Sequence, residues 1–170
     1  LAGVVMGTRC GDMDPAVVTY IMNKTGMTPD EMSEYMNKKC GFLGIGGHAD
    51  CRDIEAAAKN GDKNARLVLD MLAYQTTKFI GSYTAAMGGL DAIVFTAGIG
   101  ENTPSLRADI AHRLAAFGVK LDEEVNANAR LQSNIVKLSA DDSKIAVYLI
   151  PTNEELVIAR DTAELVKNLI

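Results

Sequence analysis

The stretch Asp91-Ala92-Ile93-Val94-Phe95-Thr96-Ala97-Gly98-Ile99-Gly100-Glu101-Asn102 decides the fold class. Its apolar run, Ala92–Phe95, is short, β-branched and aromatic. Gly88-Gly89 and Gly98 bracket it, which predicts a buried strand rather than a helix segment. The chain then turns through Gly98-Ile99-Gly100. Thr103 and Pro104 follow as a helix cap with proline at the first helical position. Leu106, Ile110, Leu114 and Phe117 recur at helical spacing, and Gly118 stops the helix. The order is strand, glycine turn, helix, the repeating unit of an α/β fold. Two glycines let backbone approach a ligand with no Cβ in the way. The helix start offers free N–H groups and a positive dipole end, which suit a phosphate. A tight connection in any α/β domain shares this pattern. It is not a P-loop, because no Gly-Lys-Ser/Thr follows. It is not a full Gly-x-Gly-x-x-Gly either, because position 103 is threonine.

Composition narrows the function. A chain of 170 residues can build one domain with a substantial core. Lys+Arg 17 against Asp+Glu 22 gives a net charge of −5 with no basic block, which argues against nucleic-acid binding. Anions can still bind through local dipoles and a few placed cations. No apolar run reaches the roughly 18 residues of a membrane helix. Cys10, Cys40 and Cys51 show no Cys-x-x-Cys spacing. An odd count without a signal peptide points to a reducing, cytoplasmic compartment. The opening Leu1-Ala2-Gly3-Val4-Val5 has the character of a cut inside a longer protein.

Along the chain, Asp14-Pro15 opens a helix whose apolar face is Val17, Val18, Ile21 and Met22, ended by Gly26. Thr28-Pro29-Asp30-Glu31 is a capping box, and the helix behind it buries Met32, Tyr35 and Met36. Gly41, Gly44, Gly46 and Gly47 predict a loop over 41–50. A short helix is expected near 53–59. Asp62 begins the longest periodic stretch, with Val68, Leu72, Phe79 and Tyr83 on one side, ending at Gly88-Gly89. Asp122-Glu123-Glu124 starts a helix to about Leu131. Ile135-Val136 and Ile145–Ile150 read as strands, the second ended by Pro151. Asn153 caps the last helix, with Glu154 and Glu155 in its first turn and a stripe of Leu156, Ala159, Ala163 and Val166. Helices outnumber strands, which is lopsided for a doubly wound sheet.

Phe95-Thr96-Ala97-Gly98-Ile99-Gly100-Glu101-Asn102 resembles the nucleotide loop of the acetate kinase family. Three more stretches agree, in the family's order: Met6-Gly7-Thr8-Arg9-Cys10-Gly11-Asp12, Asp50-Cys51-Arg52-Asp53-Ile54 and Ile150-Pro151-Thr152-Asn153-Glu154-Glu155. The resemblance runs from near residue 3 to near residue 165. It implies part of a ribonuclease-H-like α/β fold, shared with actin, Hsp70 ATPases and sugar kinases, here helix-rich with a small truncated sheet. Residues 1–152 would be most of the carboxy-terminal nucleotide-binding domain without its opening strands. Residues 153–170 would be a closing helix that returns to the amino-terminal domain. The strands missing before Leu1 would leave Ile93, Phe95 and Tyr148–Ile150 without partners on at least one edge.

The implied activity is reversible in-line transfer of the γ-phosphoryl group of ATP to acetate, giving acetyl phosphate and ADP. Alone, Arg9 reads as a surface residue. By the resemblance it binds substrate and stabilises the transition state, where a planar guanidinium can meet two equatorial oxygens. Cys10 stands where the family usually has serine, and reads as a tolerated small residue. Glu154 and Glu155 would equally complement a helix dipole; the resemblance makes Glu154 the contributor to the Mg²⁺ site, with Mn²⁺ as a substitute. Asp50, Cys51 and Arg52 resemble the adenosine-contacting turn, Arg52 stacking on the base or pairing with Asp53. Cys51 replaces a residue that is often larger and apolar in relatives. Gly98, Ile99, Gly100, Glu101 and Asn102 would wrap the nucleotide from the other side. The implied partners are ATP, acetate or another short carboxylate, and a second copy in a homodimer.

Propionate and butyrate kinases of the same family share these motifs. Two readings of other classes compete. Gly98-x-Gly100 with Asp122 about twenty residues on partly fits a nicotinamide-binding module, but the third glycine is missing and too few βα units follow. A non-catalytic ATP-binding or dimerisation module would not need Arg9.

Overall fold

The structure, a computed structural model, describes residues 1–129 and 135–167. It comprises two compact units, Leu1–Leu90 with His112–Leu114, and Asp91–Ala111 with Ala115–Ile170.

In the first unit, a loop through residues 1–14 precedes α1 (Pro15–Thr25), α2 (Pro29–Lys38), α3 (Gly41–Gly46), α4 (Cys51–Lys59) and α5 (Lys63–Met87). Local chemistry sets most boundaries. Asp14 accepts the Ala16 amide at the start of α1, and Gly26 ends that helix in the left-handed conformation. Thr28 and Glu31 make the reciprocal capping box of α2. Asp62 accepts the Asn64 and Ala65 amides to open α5, and Gly88 closes it. The core gathers Val5, Met32, Phe42, Ile54, Ala65, Val68 and Leu72. Each large side chain buried there contributes about 1.5–3 kcal/mol. Burial is confined to the first half of α5: Val68 and Leu72 are inside, while Tyr83 is 60% exposed.

Residues 41–46 are helical, against the loop expected from their glycines. Two contacts override composition. The amides of Phe42 and Leu43 donate to the carbonyls of Met6 and Gly7. Gly46 packs where a Cβ would lie 2.6 Å from the Ile54 side chain.

The second unit holds β1 (Ala92–Phe95), α6 (Ala97–Asn102), most of α7 (Pro104–Arg113), a 3₁₀ turn at Ala115–Phe117, α8 (Glu123–Asn128), β2 (Val136–Lys137), β3 (Ala146–Leu149) and α9 (Glu154–Val166). The expected end of α8 at Leu131 lies outside the described residues. The sheet order is β1-β3-β2. β1 pairs parallel with β3, Ile93 opposite Val147 and Phe95 opposite Leu149. β2 pairs antiparallel with β3, Val136 opposite Leu149.

Several expectations change here. Ala92–Phe95 is only partly buried, with Ile93 inside but Val94 49% exposed; its place at a sheet edge among the described residues agrees with the partner expected to be missing beside Ile93 and Phe95. β3, expected to lack a neighbour at Tyr148–Ile150, is flanked on both sides among the described residues. Gly98-Ile99-Gly100 lies inside a helical turn, not an open glycine turn, and neither glycine has a positive φ. Thr103 closes α6 by donating its amide to Ile99, and its carbonyl accepts the Arg107 amide of α7. Phe117 falls beyond α7 and is 45% exposed, so the buried stripe ends at Leu114. Asn153 caps α9 as expected, yet α9 buries no side chain.

Candidate functional sites

In the first unit, the Met6–Cys10 segment is held by main-chain bonds. Its carbonyls accept from the start of α3: Met6 from Phe42 at 2.9 Å, Gly7 from Leu43 at 2.9 Å and Thr8 from Cys40 at 3.0 Å. The Cys10 amide donates to Met36 at 3.1 Å, and the Thr8 hydroxyl donates to the Asn37 carbonyl at 2.8 Å. This seat requires glycine at 41, where φ is +65° and a Cβ would lie 1.9 Å from the Met6 carbonyl oxygen and 2.7 Å from that of Arg9. The Arg9 side chain is exposed. The Cys10 thiol donates to the Gly11 carbonyl at 3.3 Å, a weak local contact.

The same unit brings the Arg9 loop against the turn before α4. A Cβ on Gly7 would meet the Ala49 carbonyl oxygen at 2.6 Å. Asp50 caps α4, its carboxylate accepting the Arg52 amide at 2.8 Å. Arg52 folds back on Asp50, not Asp53, through Nε at 3.0 Å and Nη2 at 2.6 Å. The Arg52 side chain, and next its amide, hold the Asp50 carboxyl at about 2, below its ordinary 3.8. The Arg52 side chain remains 84% exposed. Cys51 is buried at 9% exposure, so Asp50 and Arg52 are the side chains this turn presents to solvent.

The second unit joins two motifs more than fifty residues apart. Ala97, Gly98 and Glu101 line an open cleft of about 440 Å³ with Thr152, Asn153, Glu154 and Glu155. The strands explain this. β1 and β3 are parallel neighbours, so their carboxyl ends deliver both segments to one end of the sheet, where ligands of open α/β sheets collect. Glu101 accepts the Thr152 amide at 2.8 Å. Asn102 donates from Nδ2 to the Gly98 carbonyl at 2.8 Å. A Cβ on Gly98 would point into open space, and one on Gly100 would make ordinary contact with Phe95. Glu154 is exposed in the first turn of α9.

A divalent cation such as Mg²⁺ needs hard oxygen donors, and Glu154 supplies a carboxylate at the cleft wall. No group of three or more metal-ligating side chains occurs among the described residues.

The sequence reading passes over Arg107. It is 1% exposed. Nη1 donates to the carbonyls of Gly100 and Glu101, both at 2.8 Å. Nε reaches Asn126 Oδ1 at 2.8 Å and Nη2 the Asn126 carbonyl at 3.0 Å. Arg107 therefore closes the end of α6, where backbone carbonyls lack helical partners. A signal was available: Thr103, Arg107, Ile110 and Leu114 follow 4-3-4 spacing on one helical face.

Comparison with known proteins completes the description. The family model described as the acetokinase family matches residues 1–160. An acetate kinase of Treponema denticola is 52% identical over 168 residues, covering 98% of this chain and 42% of the relative. One from Halothermothrix orenii is 48% identical over 169 residues, with 99% and 42% covered. Among solved structures, acetate kinase of Porphyromonas gingivalis superposes with a TM-score of 0.89 at 41% identity, over 97% of this chain and 41% of that one. A propionate kinase from Francisella tularensis gives 0.85 at 38% identity, over 94% and 40%. The chain thus spans about two-fifths of the length of the curated relatives it matches.

Proposed function

The chain belongs to the acetokinase family, and from that premise we propose that it is the carboxy-terminal part of an acetate kinase. The reaction is in-line transfer of the ATP γ-phosphoryl group to a short carboxylate: a carboxylate oxygen bonds to phosphorus as the bond to the β,γ-bridging oxygen breaks. Acyl phosphate and ADP result. The observation that carries the reading is the single cleft lined by Gly98, Glu101 and Glu154. Two of the four sequence motifs meet there, as a phosphotransferase with a carboxylate-anchored cation requires.

In this reading Gly98–Asn102 lie along the phosphates and Glu154 holds the divalent cation, which when bound offsets phosphate charge. Asp50, Cys51 and Arg52 form the adenosine side, with Arg52 as the stacking plane and Cys51 shaping the turn from beneath. Arg9 binds the carboxylate and the transferring group. Its exposure and its main-chain seat support that role. A guanidinium not spent on internal bonds can meet the equatorial oxygens, where charge spreads in the transition state. We place the enzyme in the cytoplasm as a homodimer. No helix among the described residues is long and apolar enough to cross a membrane; Leu156, Val157, Ile158 and Leu165 of α9, exposed in this chain, would be covered by the amino-terminal domain or by a second copy.

The test is acyl phosphate formation from ATP and acetate, trapped as the hydroxamate, in the full-length kinase and in the 170-residue chain. Full-length protein turns over; the chain alone has little or no activity. In the full-length enzyme Glu154→Gln raises the Mg²⁺ needed for half-maximal rate more than it raises the carboxylate KM. An unchanged magnesium dependence rejects the metal role.

A further inference from the structure

Resting on the kinase reading above, we propose that Thr152 is a positioning residue that locks the cation-bearing segment Asn153–Glu155 to the phosphate-side loop Ala97–Asn102. Thr152 follows β3 and precedes α9, two residues before Glu154. Its hydroxyl oxygen accepts the Ala97 amide at 2.8 Å and shares a 2.7 Å hydrogen bond with the Thr96 hydroxyl. Its own amide donates to Glu101 Oε1 at 2.8 Å. A hydroxyl has one proton and two lone pairs, so it can serve both neighbours at once. One residue therefore holds the first residue of α6 through its side chain and the penultimate one through its backbone.

Ala97 shows why such a hold is needed. Its φ is +57°, and it is the one non-glycine residue with positive φ among those described. L-residues avoid that region because Cβ crowds the carbonyl oxygen, and a residue stays there only when its surroundings fix it. The fixing partner is the Thr152 hydroxyl on the Ala97 amide. Losing the hydroxyl frees Ala97 to relax toward negative φ, which redirects Gly98 at the cleft wall. It also leaves Glu154 attached to the loop only through the Thr152 amide on the Glu101 carboxylate. The lock acts on nucleotide and cation together and leaves the carboxylate site alone.

Thr152→Val keeps the shape and removes the acceptor; Thr152→Ser keeps the acceptor. In the full-length kinase, Thr152→Val raises the KM for Mg-ATP about tenfold, the loss of one or two modest hydrogen bonds, with the acetate KM unchanged. Thr152→Ser returns the Mg-ATP KM to within about twofold of the parent. In the 170-residue chain, amide exchange at Ala97 accelerates in the valine variant and not in the serine variant. Thr152→Ala serves as a second acceptor-free variant and behaves as valine does. An unchanged Mg-ATP KM in both acceptor-free variants, an equal rise in acetate KM, a serine variant as impaired as valine, or unchanged Ala97 exchange each overturns the proposal. Absence of turnover in the unmutated kinase removes the kinase reading, and the proposal with it. Turnover with no response to Thr152→Val removes the proposal alone.

Discussion

The Arg9 loop and the Gly98–Thr152 side of the cleft are both held in place, by opposite means. Backbone holds the first. Carbonyls of residues 6–8 meet amides of residues 40, 42 and 43, and Gly41 permits the approach because it has no side chain. Side chains hold the second: Thr152 at the front of α6, Arg107 at its back, with Glu101 and Asn102 between. A main-chain seat leaves its side chain free for chemistry, which is how Arg9 stands exposed on a fixed loop. A side-chain clamp uses its functional groups as structure. It can be weakened by one atom at a time.

The largest expected effect lies at the free side chain. Arg9→Ala in the full-length kinase lowers kcat by roughly 10²–10⁵, the span between loss of one transition-state donor and loss of an arginine finger. Its thermal midpoint stays near that of the parent. A kcat that barely moves, with only the ATP KM raised, would reassign Arg9 to nucleotide binding.

Next comes the seat itself. Gly41→Ala places a Cβ 1.9 Å from a backbone oxygen at a left-handed φ, and costs on the order of 4 kcal/mol, among the larger single-site losses. Urea unfolding of the chain measures it. A loss under about 1 kcal/mol would show that the loop yields easily and that the backbone account is wrong.

The counterpart in the second region is Arg107→Met, which keeps the apolar stem and removes the donors to Gly100 and Glu101. About 2 kcal/mol of stability is lost for acceptors left unpaired. Calorimetric unfolding gives the loss. Amide exchange shows whether it is localised around α6, as a clamp requires, or spread over the unit.

The smallest effect is one of pH. The Asp50 carboxyl is held at about 2 by the Arg52 side chain and amide, against an ordinary 3.8. A depressed acid stabilises the fold above its unfolded value and loses that contribution as pH falls through the folded one. The cap of α4 is therefore fully effective above about pH 4 and fades between 3.8 and about 2. The side-chain carboxyl shift of Asp50, followed by NMR, gives the midpoint directly. Arg52→Ala moves that midpoint up toward 3.8.

What could be read from the sequence divides along the same line between local and non-local chemistry. Caps at Asp14, Thr28, Asp62 and Asn153 and the stops at Gly26 and Gly88 are written within a few residues, and the structure has them in place. The helix over 41–46 is not legible in that way, because its amides find carbonyls some 35 residues away. The exposure of Val94 in β1 depends on what covers each face of the strand, and an apolar run of four residues carries no such information. Arg107 escapes because a charge in an amphipathic pattern reads as surface, although its spacing places it on the buried face. The four motifs lie within the residues that the family model matches. The pairing of two of them in one cleft emerges from β1 and β3 lying side by side.

The winding of α9, the helix that carries Glu154, is a helix–coil equilibrium. α9 spans 13 residues and buries none of them. In the 170-residue chain by itself, a helix of that length with no buried face is marginal in water, because nucleation is costly and each added residue returns little. Its stability then rests on Asn153, on two acids at its amino end and on residue propensity. Glu154 is in position only for the fraction of time the first turn is wound. An apparent dissociation constant is the intrinsic one divided by that fraction. In that chain, the cation affinity proposed for Glu154 is therefore tunable from two or three turns away, by anything that shifts the winding of α9, a covering domain included, and touches no ligand.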